Sequence, residues 1–147
     1  MILAAASMFL ALSLRDEVPT TKFAIESVQK DVVKGTLTVS LPTGWHAYQN
    51  PPKSSFENPL TLASKTKGFT FSKISYPKGM PMTSFGTDTL VYEGDVVIPF
   101  QGKIGKTMKA TKGAYSVDLE VSYQICNEST CKPPASIKAK LNIKAAK

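Results

Sequence analysis

The amino-acid sequence predicts an all-β protein with the architecture of an antiparallel β-sandwich. From residue 22 onward, short apolar stretches alternate with turn-forming residues, and no stretch has a convincing helical period. Many short strands without intervening helices are typical of a sandwich, with a small closed barrel as the alternative. The 147 residues, 42% of them hydrophobic, are enough for one domain with a core of its own.

The chain begins with an apolar segment that has the character of an export signal. Residues 1–14 are small or aliphatic, and Arg15, Asp16 and Glu17 follow at once. The run is too short to span a bilayer as a helix. It matches the hydrophobic region of a secretory signal peptide, although no lysine or arginine precedes it. We therefore expect residues 1–20 to be a signal-like segment and residues 21–147 to be the exported domain, with an N-terminal helix packed on the domain as the alternative.

Nine strands are predicted in that domain. Turn signals such as Lys34-Gly35 and Glu93-Gly94 separate the first seven, at residues 22–28, 35–41, 45–48, 60–63, 69–74, 89–92 and 95–100. The last two, residues 114–125 and 136–144, alternate apolar and polar side chains, the period of a half-buried strand. We find no internal repeat, interdomain linker or later transmembrane segment.

The only two cysteines, Cys126 and Cys131, lie in the connection between the last two predicted strands. Turn residues surround them, so we expect their side chains to be presented to partners rather than packed. A disulfide closing about six residues stabilises a fold by roughly 2 kcal/mol, against roughly 4 to 5 kcal/mol for a loop of about a hundred. The pair is a weak structural bridge, and thiol–disulfide exchange is the competing role.

Other chemistry finds little support in the sequence. The formal net charge is +7, but Arg15 is the only arginine and the lysines are scattered, which is unlike a nucleic-acid-binding surface. Two cysteines and His46 are too few for a zinc site. Copper could use the two cysteines with His46, Met80 and Met82, although a Met-x-Met pair is more often packing. A hydrolase would need a base, and the aromatic neighbours of His46 indicate a structural histidine.

Four blocks of sequence, taken together, carry a family resemblance. They are YQICNESTCKPP at residues 123–134, GWHAYQNPP at 44–52, YPKG at 76–79 and VYEGDVVIP at 91–99. In order and spacing the chain resembles the N-terminal periplasmic domain of the thiol:disulfide interchange protein DsbD. The resemblance implies an immunoglobulin-like sandwich whose cysteine pair lies on the last hairpin. It also implies a periplasmic domain without a cofactor, which passes reducing equivalents from a thioredoxin-like donor to thioredoxin-fold acceptors through mixed disulfides.

The resemblance also assigns roles to individual residues. Cys131 would form the bond to the partner, and Cys126 would resolve it. An aromatic cap that moves when a partner docks would be Phe85, with Gly86 as its hinge, and ordinary loop packing is the alternative reading of Phe85. The aromatic residues that would flank the site are Trp45, Tyr48 and Tyr123.

Two departures from the family pattern qualify these expectations. The family's cap commonly carries acidic residues, whereas Thr83 and Ser84 precede Phe85 here. The family protein also continues into a membrane-embedded domain and a thioredoxin-like domain, so a chain that ends here would collect electrons from a separate protein. Two rival functions stay open, a β-sandwich interaction module with a structural disulfide and a copper-handling protein.

Overall fold

The computed structural model describes residues 17–146, which form eleven β-strands and no helix. The strands are β1 (Thr20–Gln29), β2 (Val32–Ser40), β3 (His46–Tyr48), β4 (Thr61–Ser64), β5 (Phe69–Ile74), β6 (Met80–Ser84), β7 (Thr87–Tyr92), β8 (Asp95–Ile104), β9 (Ala114–Tyr123), β10 (Ile125–Cys126) and β11 (Ala135–Lys144). Most of the predicted signal-like segment, residues 1–16, lies outside the described residues. Within the described part, no helix is long and apolar enough to cross a membrane.

The strands form three antiparallel sheets, with orders β1-β2-β8-β5, β10-β3-β7-β6 and β11-β9-β4. Every second residue of β2 and β8, and of β9 from Val117 onward, is buried, as expected for strands with one face toward a core. Each sheet ends in edge strands, so the sheets do not close into a barrel. The predicted all-β sandwich is confirmed.

One hydrophobic core joins the sheets. Leu37 and Ile98 of the first sheet and Leu119 of the third are at most 1% exposed and belong to the same cluster. Gly35 makes room for an aromatic ring in this core, because a Cβ there would lie 2.6 Å from Phe100 Cζ. Burial of apolar surface in a core of this kind is the main contribution to the stability of such a sandwich.

The structure differs from the prediction where the cysteines lie. The sequence predicted one strand over residues 114–125, but β9 ends at Tyr123 and residues 125 and 126 form β10 in another sheet. β9 pairs with β11 and β4, whereas β10 pairs with β3. The chain therefore changes sheets at Gln124. The second strand missed by the sequence, β6, is the edge strand beside β7.

Candidate active site

The change of sheet carries Cys126 into the sandwich. In the register of β10 and β3, Ile125 pairs with Ala47 and Cys126 pairs with His46. Cys126 forms a disulfide with Cys131, five residues later in the chain. The amide N–H of Lys132 donates to the carbonyl of Ile125 at 2.9 Å, which brings the chain back beside β10.

The two sulfur-bearing residues differ in exposure. Cys126 is 0% exposed, whereas Cys131 is half-buried. The expectation that both side chains are presented to partners is therefore wrong for Cys126, because both residues of β10 are buried. A partner thiol approaching from solvent meets the Cys131 side of the bond first, and displacement of one sulfur requires access to it.

A local hydrogen-bond network shapes the loop between the cysteines. Asn127 Oδ1 accepts from the backbone N–H groups of Ser129 and Thr130, at 2.9 Å each. The Asn127 N–H donates to the carbonyl of Thr130 at 2.9 Å. This is the turn that asparagine side chains favour. The loop conformation thus has support besides the disulfide.

Tyr48 contacts the buried sulfur. Its Oη lies 3.7 Å from Cys126 Sγ. Because a disulfide sulfur carries no hydrogen, the hydroxyl is the donor in this contact. Burial raises the pKa of Tyr48, and the negative charge of Glu57 raises it further. The hydroxyl therefore keeps its proton at neutral pH.

His46 lies on the same face of β3 as Tyr48, because the two are separated by one residue. Its side chain is 4% exposed, and among the described residues Nε2 has no hydrogen-bond partner. Burial lowers the pKa of His46, an effect that the negative charge of Glu93 opposes without reversing. The imidazole is consequently neutral at pH 7. From sequence this histidine was interpreted as structural, and only the register of β3 with β10 places it opposite Cys126.

Trp45 belongs to a cluster that holds the residue after Cys131. Lys132 Nζ lies 4.7 Å from the centroid of the Trp45 ring, within the range of a cation–π contact. The same ammonium donates to the backbone carbonyl of Glu17 at 2.6 Å, and Trp45 Nε1 donates to the Glu17 carboxylate. Sequence reasoning missed Glu17, because 115 residues separate it from Lys132 and no local pattern connects them.

The predicted cap residues form the turn of the β6–β7 hairpin. Phe85 and Gly86 are the two residues between the strands, and both have positive φ, 50° and 77°. Such a pair is typical of a tight hairpin turn that matches the twist of its strands. Phe85 is 60% exposed, so it is free of core packing. Its role as a cap stays a prediction.

The hairpin belongs to the sheet that contains β10 and β3, since Tyr48 of β3 pairs with Val91 of β7. The hairpin also carries an acidic residue after Phe85, whereas the expectation from the sequence considered only Thr83 and Ser84, which precede it. Asp88 on β7 accepts a hydrogen bond from Thr83 Oγ1 at 2.9 Å. A negative charge is therefore present on the hairpin, on the strand after the turn.

Tyr123, the third predicted flanking aromatic, is buried at the end of β9 and pairs with Ala135 of β11. It lines an open groove with Pro59 and Pro134. Burial raises the pKa of Tyr123. Tyr123 thus supports the point from which the chain passes to β10.

Among residues 17–146, no group of three or more His, Cys, Asp or Glu side chains is placed to hold a metal ion. The groups that the structure places next to Cys126 are the Cys131 sulfur, the His46 imidazole and the Tyr48 phenol. Exchange of the disulfide with a thiol needs only the first of these.

Comparisons with known proteins agree with the sequence resemblance. The family model of the thiol:disulfide interchange protein DsbD, N-terminal, matches residues 16–143. A search among curated protein sequences gives no match.

Solved structures with a similar fold include the N-terminal domain of Neisseria meningitidis DsbD in the reduced form. It is 18% identical, with a TM-score of 0.53 over 80% of this chain and 82% of that chain. The N-terminal periplasmic domain of ScsB from Proteus mirabilis is 18% identical, with a TM-score of 0.62 over 92% of this chain and 49% of that chain. This chain spans about half the length of that ScsB domain.

The family match contains both cysteines and nearly all of the described strands. It confirms the predicted immunoglobulin-like sandwich and the predicted functional class, thiol–disulfide exchange. With its disulfide between Cys126 and Cys131, this chain belongs to the family of N-terminal domains of the thiol:disulfide interchange protein DsbD.

Proposed function

We propose that this chain is a periplasmic thiol–disulfide oxidoreductase domain that passes reducing equivalents between thioredoxin-fold proteins through the Cys126–Cys131 bond. The observation that carries the proposal is the unequal exposure of the two cysteines, Cys126 at 0% and Cys131 half-buried. A bond with one accessible sulfur can be opened from one side only. Such a bond gives each exchange reaction a defined order.

In the reducing half-reaction, a thiolate of the donor attacks Cys131 Sγ. The Cys126–Cys131 bond breaks, and Cys126 leaves with the electron pair and takes up a proton. The second thiolate of the donor then attacks the donor sulfur of the mixed disulfide and releases Cys131 as a thiolate. The donor ends as a disulfide and this protein as a dithiol, so two electrons have been transferred.

In the second half-reaction, the Cys131 thiolate attacks an acceptor disulfide and forms a second mixed disulfide. Cys126 then attacks Cys131 Sγ, which reforms the intramolecular bond and releases the acceptor as a dithiol. Cys131 is thus the exchanging residue and Cys126 the resolving residue. No cofactor takes part in either half-reaction.

The surroundings of the bond support this assignment. Trp45 and Tyr48 flank the two ends of the cysteine loop, Trp45 through Lys132 and Tyr48 through Cys126 Sγ. Phe85 lies exposed on a hairpin of the same sheet, and we propose that it shields Cys131 from small thiols until a partner docks. Gly86 gives the turn the conformational freedom that such a movement needs.

The periplasmic location is part of the proposal. The apolar run of residues 1–14 has the composition of a signal-peptide core, and a disulfide persists in oxidising compartments. Fractionation of cells that express the full chain tests the location. Recovery in the periplasmic fraction supports the proposal, and retention in the cytoplasm contradicts it.

The reduction potential of the Cys126–Cys131 bond tests the exchange function directly. Structural disulfides of secreted proteins typically have potentials below about −300 mV, whereas thioredoxin-type proteins lie between about −180 and −270 mV. We expect a value in the second range, measured by equilibration in glutathione or dithiothreitol buffers followed by alkylation and mass spectrometry. A value far below about −300 mV would mean that the disulfide is structural.

Trapping of partners tests the order of attack. Cys126→Ser leaves Cys131 without a resolving thiol, so mixed disulfides with thioredoxin-fold proteins should accumulate. Cys131→Ser is the matched control, and it should trap few because Cys126 is buried. Equal trapping by both variants would contradict the proposed roles.

A further inference from the structure

His46 is a buried polar residue that the exchange scheme above does not use. It pairs directly with Cys126 across β3 and β10, and residues opposed in this way have Cβ atoms about 5 Å apart on the same face of the sheet. The imidazole is 4% exposed, and its Nε2 has no hydrogen-bond partner within residues 17–146. A buried polar atom without a partner is destabilising and calls for an explanation.

Cys126, which lies opposite His46, must lose a proton during the exchange reaction. As the resolving residue it must become a thiolate, yet burial disfavours the charged form and raises the pKa of a thiol above its ordinary value of about 8.5. At 0% exposure, Cys126 cannot pass its proton directly to water. A proton acceptor inside the protein would remove this obstacle.

We propose that His46 is the proton acceptor of Cys126 in the resolving step. The proposal rests on the exchange function proposed above, because only an opened disulfide gives Cys126 a proton to lose. The unpartnered Nε2 is then the atom that takes up this proton when Cys126 attacks the mixed disulfide. The Tyr48 hydroxyl, already 3.7 Å from Cys126 Sγ, adds a hydrogen bond to the thiolate as it forms.

The resolving step starts from a mixed disulfide between Cys131 and the partner, with Cys126 as a thiol and His46 neutral. The proton moves from Cys126 Sγ to the imidazole, and the thiolate attacks Cys131 Sγ. The intramolecular bond forms, and the partner sulfur leaves with the electron pair. The imidazolium then gives its proton to the departing thiolate or to solvent, and His46 is neutral again.

The charged and titratable groups around His46 are compatible with this role. Glu93, which follows β7, favours the imidazolium, while burial favours the neutral ring. On β3 the other titratable residue is Tyr48, and on β10 it is Cys126. The imidazole is thus neutral before the transfer and has a carboxylate near it to stabilise the charge that it acquires.

A chromogenic nitrobenzoate disulfide separates the resolving step from the first attack. The reduced protein releases one nitrothiobenzoate when Cys131 attacks the reagent, and a second when Cys126 attacks the Cys131 adduct. At pH 7 we expect His46→Gln to slow the second release by about a hundredfold or more, the lower end of the range of general acid–base effects. The first release should be unchanged, because Cys131 does not depend on His46.

The pH profile distinguishes proton transfer from packing. Once the pH exceeds the pKa of the Cys126 thiol itself, Cys126 is already a thiolate and needs no acceptor, so the second release of His46→Gln should converge with that of the wild type. Slowing by the same factor at every pH would assign His46 a structural role and overturn the proposal, as would equal rates at pH 7. If the wild type shows no second release at all, the exchange function itself fails.

A spectroscopic test does not depend on the stability of a His46 variant. His46 is the only histidine of the chain, so its imidazole signals are unambiguous in nuclear magnetic resonance spectra. In Cys131→Ser, we expect these signals to shift as the Cys126 thiol loses its proton, in addition to the imidazole's own titration, and we expect that extra shift to be absent in Cys126→Ala/Cys131→Ser. Identical imidazole titrations in the two variants would overturn the proposal.

Discussion

Lys132 Nζ lies 4.7 Å from the centroid of the Trp45 ring and donates a hydrogen bond to the carbonyl of Glu17 at 2.6 Å. One ammonium thus connects the residue after Cys131, the start of β3 and the segment that precedes β1. The contact is local to the site, and it holds the end of the cysteine loop against the sandwich. Trp45 is the only tryptophan of the chain, so its fluorescence reports this contact.

Replacing Lys132 by alanine should loosen the cysteine loop. A cation–π contact at a partly exposed position contributes about 0.5 to 1 kcal/mol, so we expect a loss of about that size in the free energy of unfolding. Urea denaturation monitored by Trp45 fluorescence measures it. Lys138→Ala, at an exposed position of β11, is the matched control and should change stability by less than about 0.5 kcal/mol. Equal losses for both variants would show that the Trp45 contact contributes nothing.

Tyr48→Phe should make Cys126 less acidic. The variant keeps the ring and removes the hydroxyl that lies 3.7 Å from Cys126 Sγ. A hydrogen bond to a charged group contributes about 1.5 kcal/mol, which corresponds to a rise of about one unit in the pKa of the Cys126 thiol. The measurement is ultraviolet thiolate absorbance against pH in a Cys131→Ser background. Tyr115→Phe is the control, because Tyr115 lies near the start of β9 and the cysteine loop follows its end. This variant should leave the pKa of the Cys126 thiol unchanged.

Reduction of the disulfide should leave the sandwich folded. The bridge closes about six residues, so its opening lowers the free energy of unfolding by about 2 kcal/mol in the chain-entropy model. Urea denaturation of the oxidised and the reduced protein gives the difference. Loss of cooperative folding on reduction would contradict this prediction and would favour a structural disulfide.

Phe85→Asn should distinguish the two roles of residue 85, its contribution to the hairpin turn and its proposed shielding of the disulfide. Asparagine tolerates the positive φ of position 85 better than phenylalanine, and Asn-Gly is the favoured pair for this turn. We expect the variant to be at least as stable as the wild type, and its disulfide to be reduced several-fold faster by glutathione because the shield is gone. Phe56→Asn, which removes another exposed aromatic side chain from a loop, is the control. Unchanged reduction in Phe85→Asn would remove the basis for a cap.

Stability should fall in mild acid because of His46. Burial lowers the pKa of His46 in the folded state, while the unfolded chain has the ordinary value of about 6.5. As the pH falls through that value, the unfolded state takes up a proton that the folded state resists, so the free energy of unfolding decreases by up to about 1.4 kcal/mol per pH unit. His46→Gln should flatten the profile between about pH 7 and 5. Parallel profiles of variant and wild type would exclude His46 as the cause.

Local patterns predicted most of the strands. β11, and β9 from Tyr115 onward, alternate between apolar and polar side chains because one face of each lies on the core. β6 was missed because Met80–Ser84 contains a proline and lacks alternation, features that an edge strand tolerates. The strand period therefore reveals burial of one face, and a strand without a buried face leaves no such signal.

The site itself could be predicted only in part. The two cysteines and their turn residues are adjacent in the sequence, and the motif around them carries the family resemblance. The change of sheet at Gln124 depends on the pairing of β10 with β3, which lies far away in the chain. The alternation simply continues through Ile125, so the sequence indicates one long strand. The position of His46 opposite Cys126 follows from the same distant pairing.

The hydrogen bonds of Asn127 to Ser129 and Thr130 have a consequence for how long a partner stays attached. They fix the loop independently of the sulfur–sulfur bond, so the two thiols of the reduced protein remain neighbours instead of diffusing apart. Cys126 then attacks any mixed disulfide on Cys131 at a high effective concentration, because the entropy of bringing the two groups together has already been lost on folding. The loop therefore shortens the lifetime of each mixed disulfide, which favours turnover over a long-lived covalent complex with the partner.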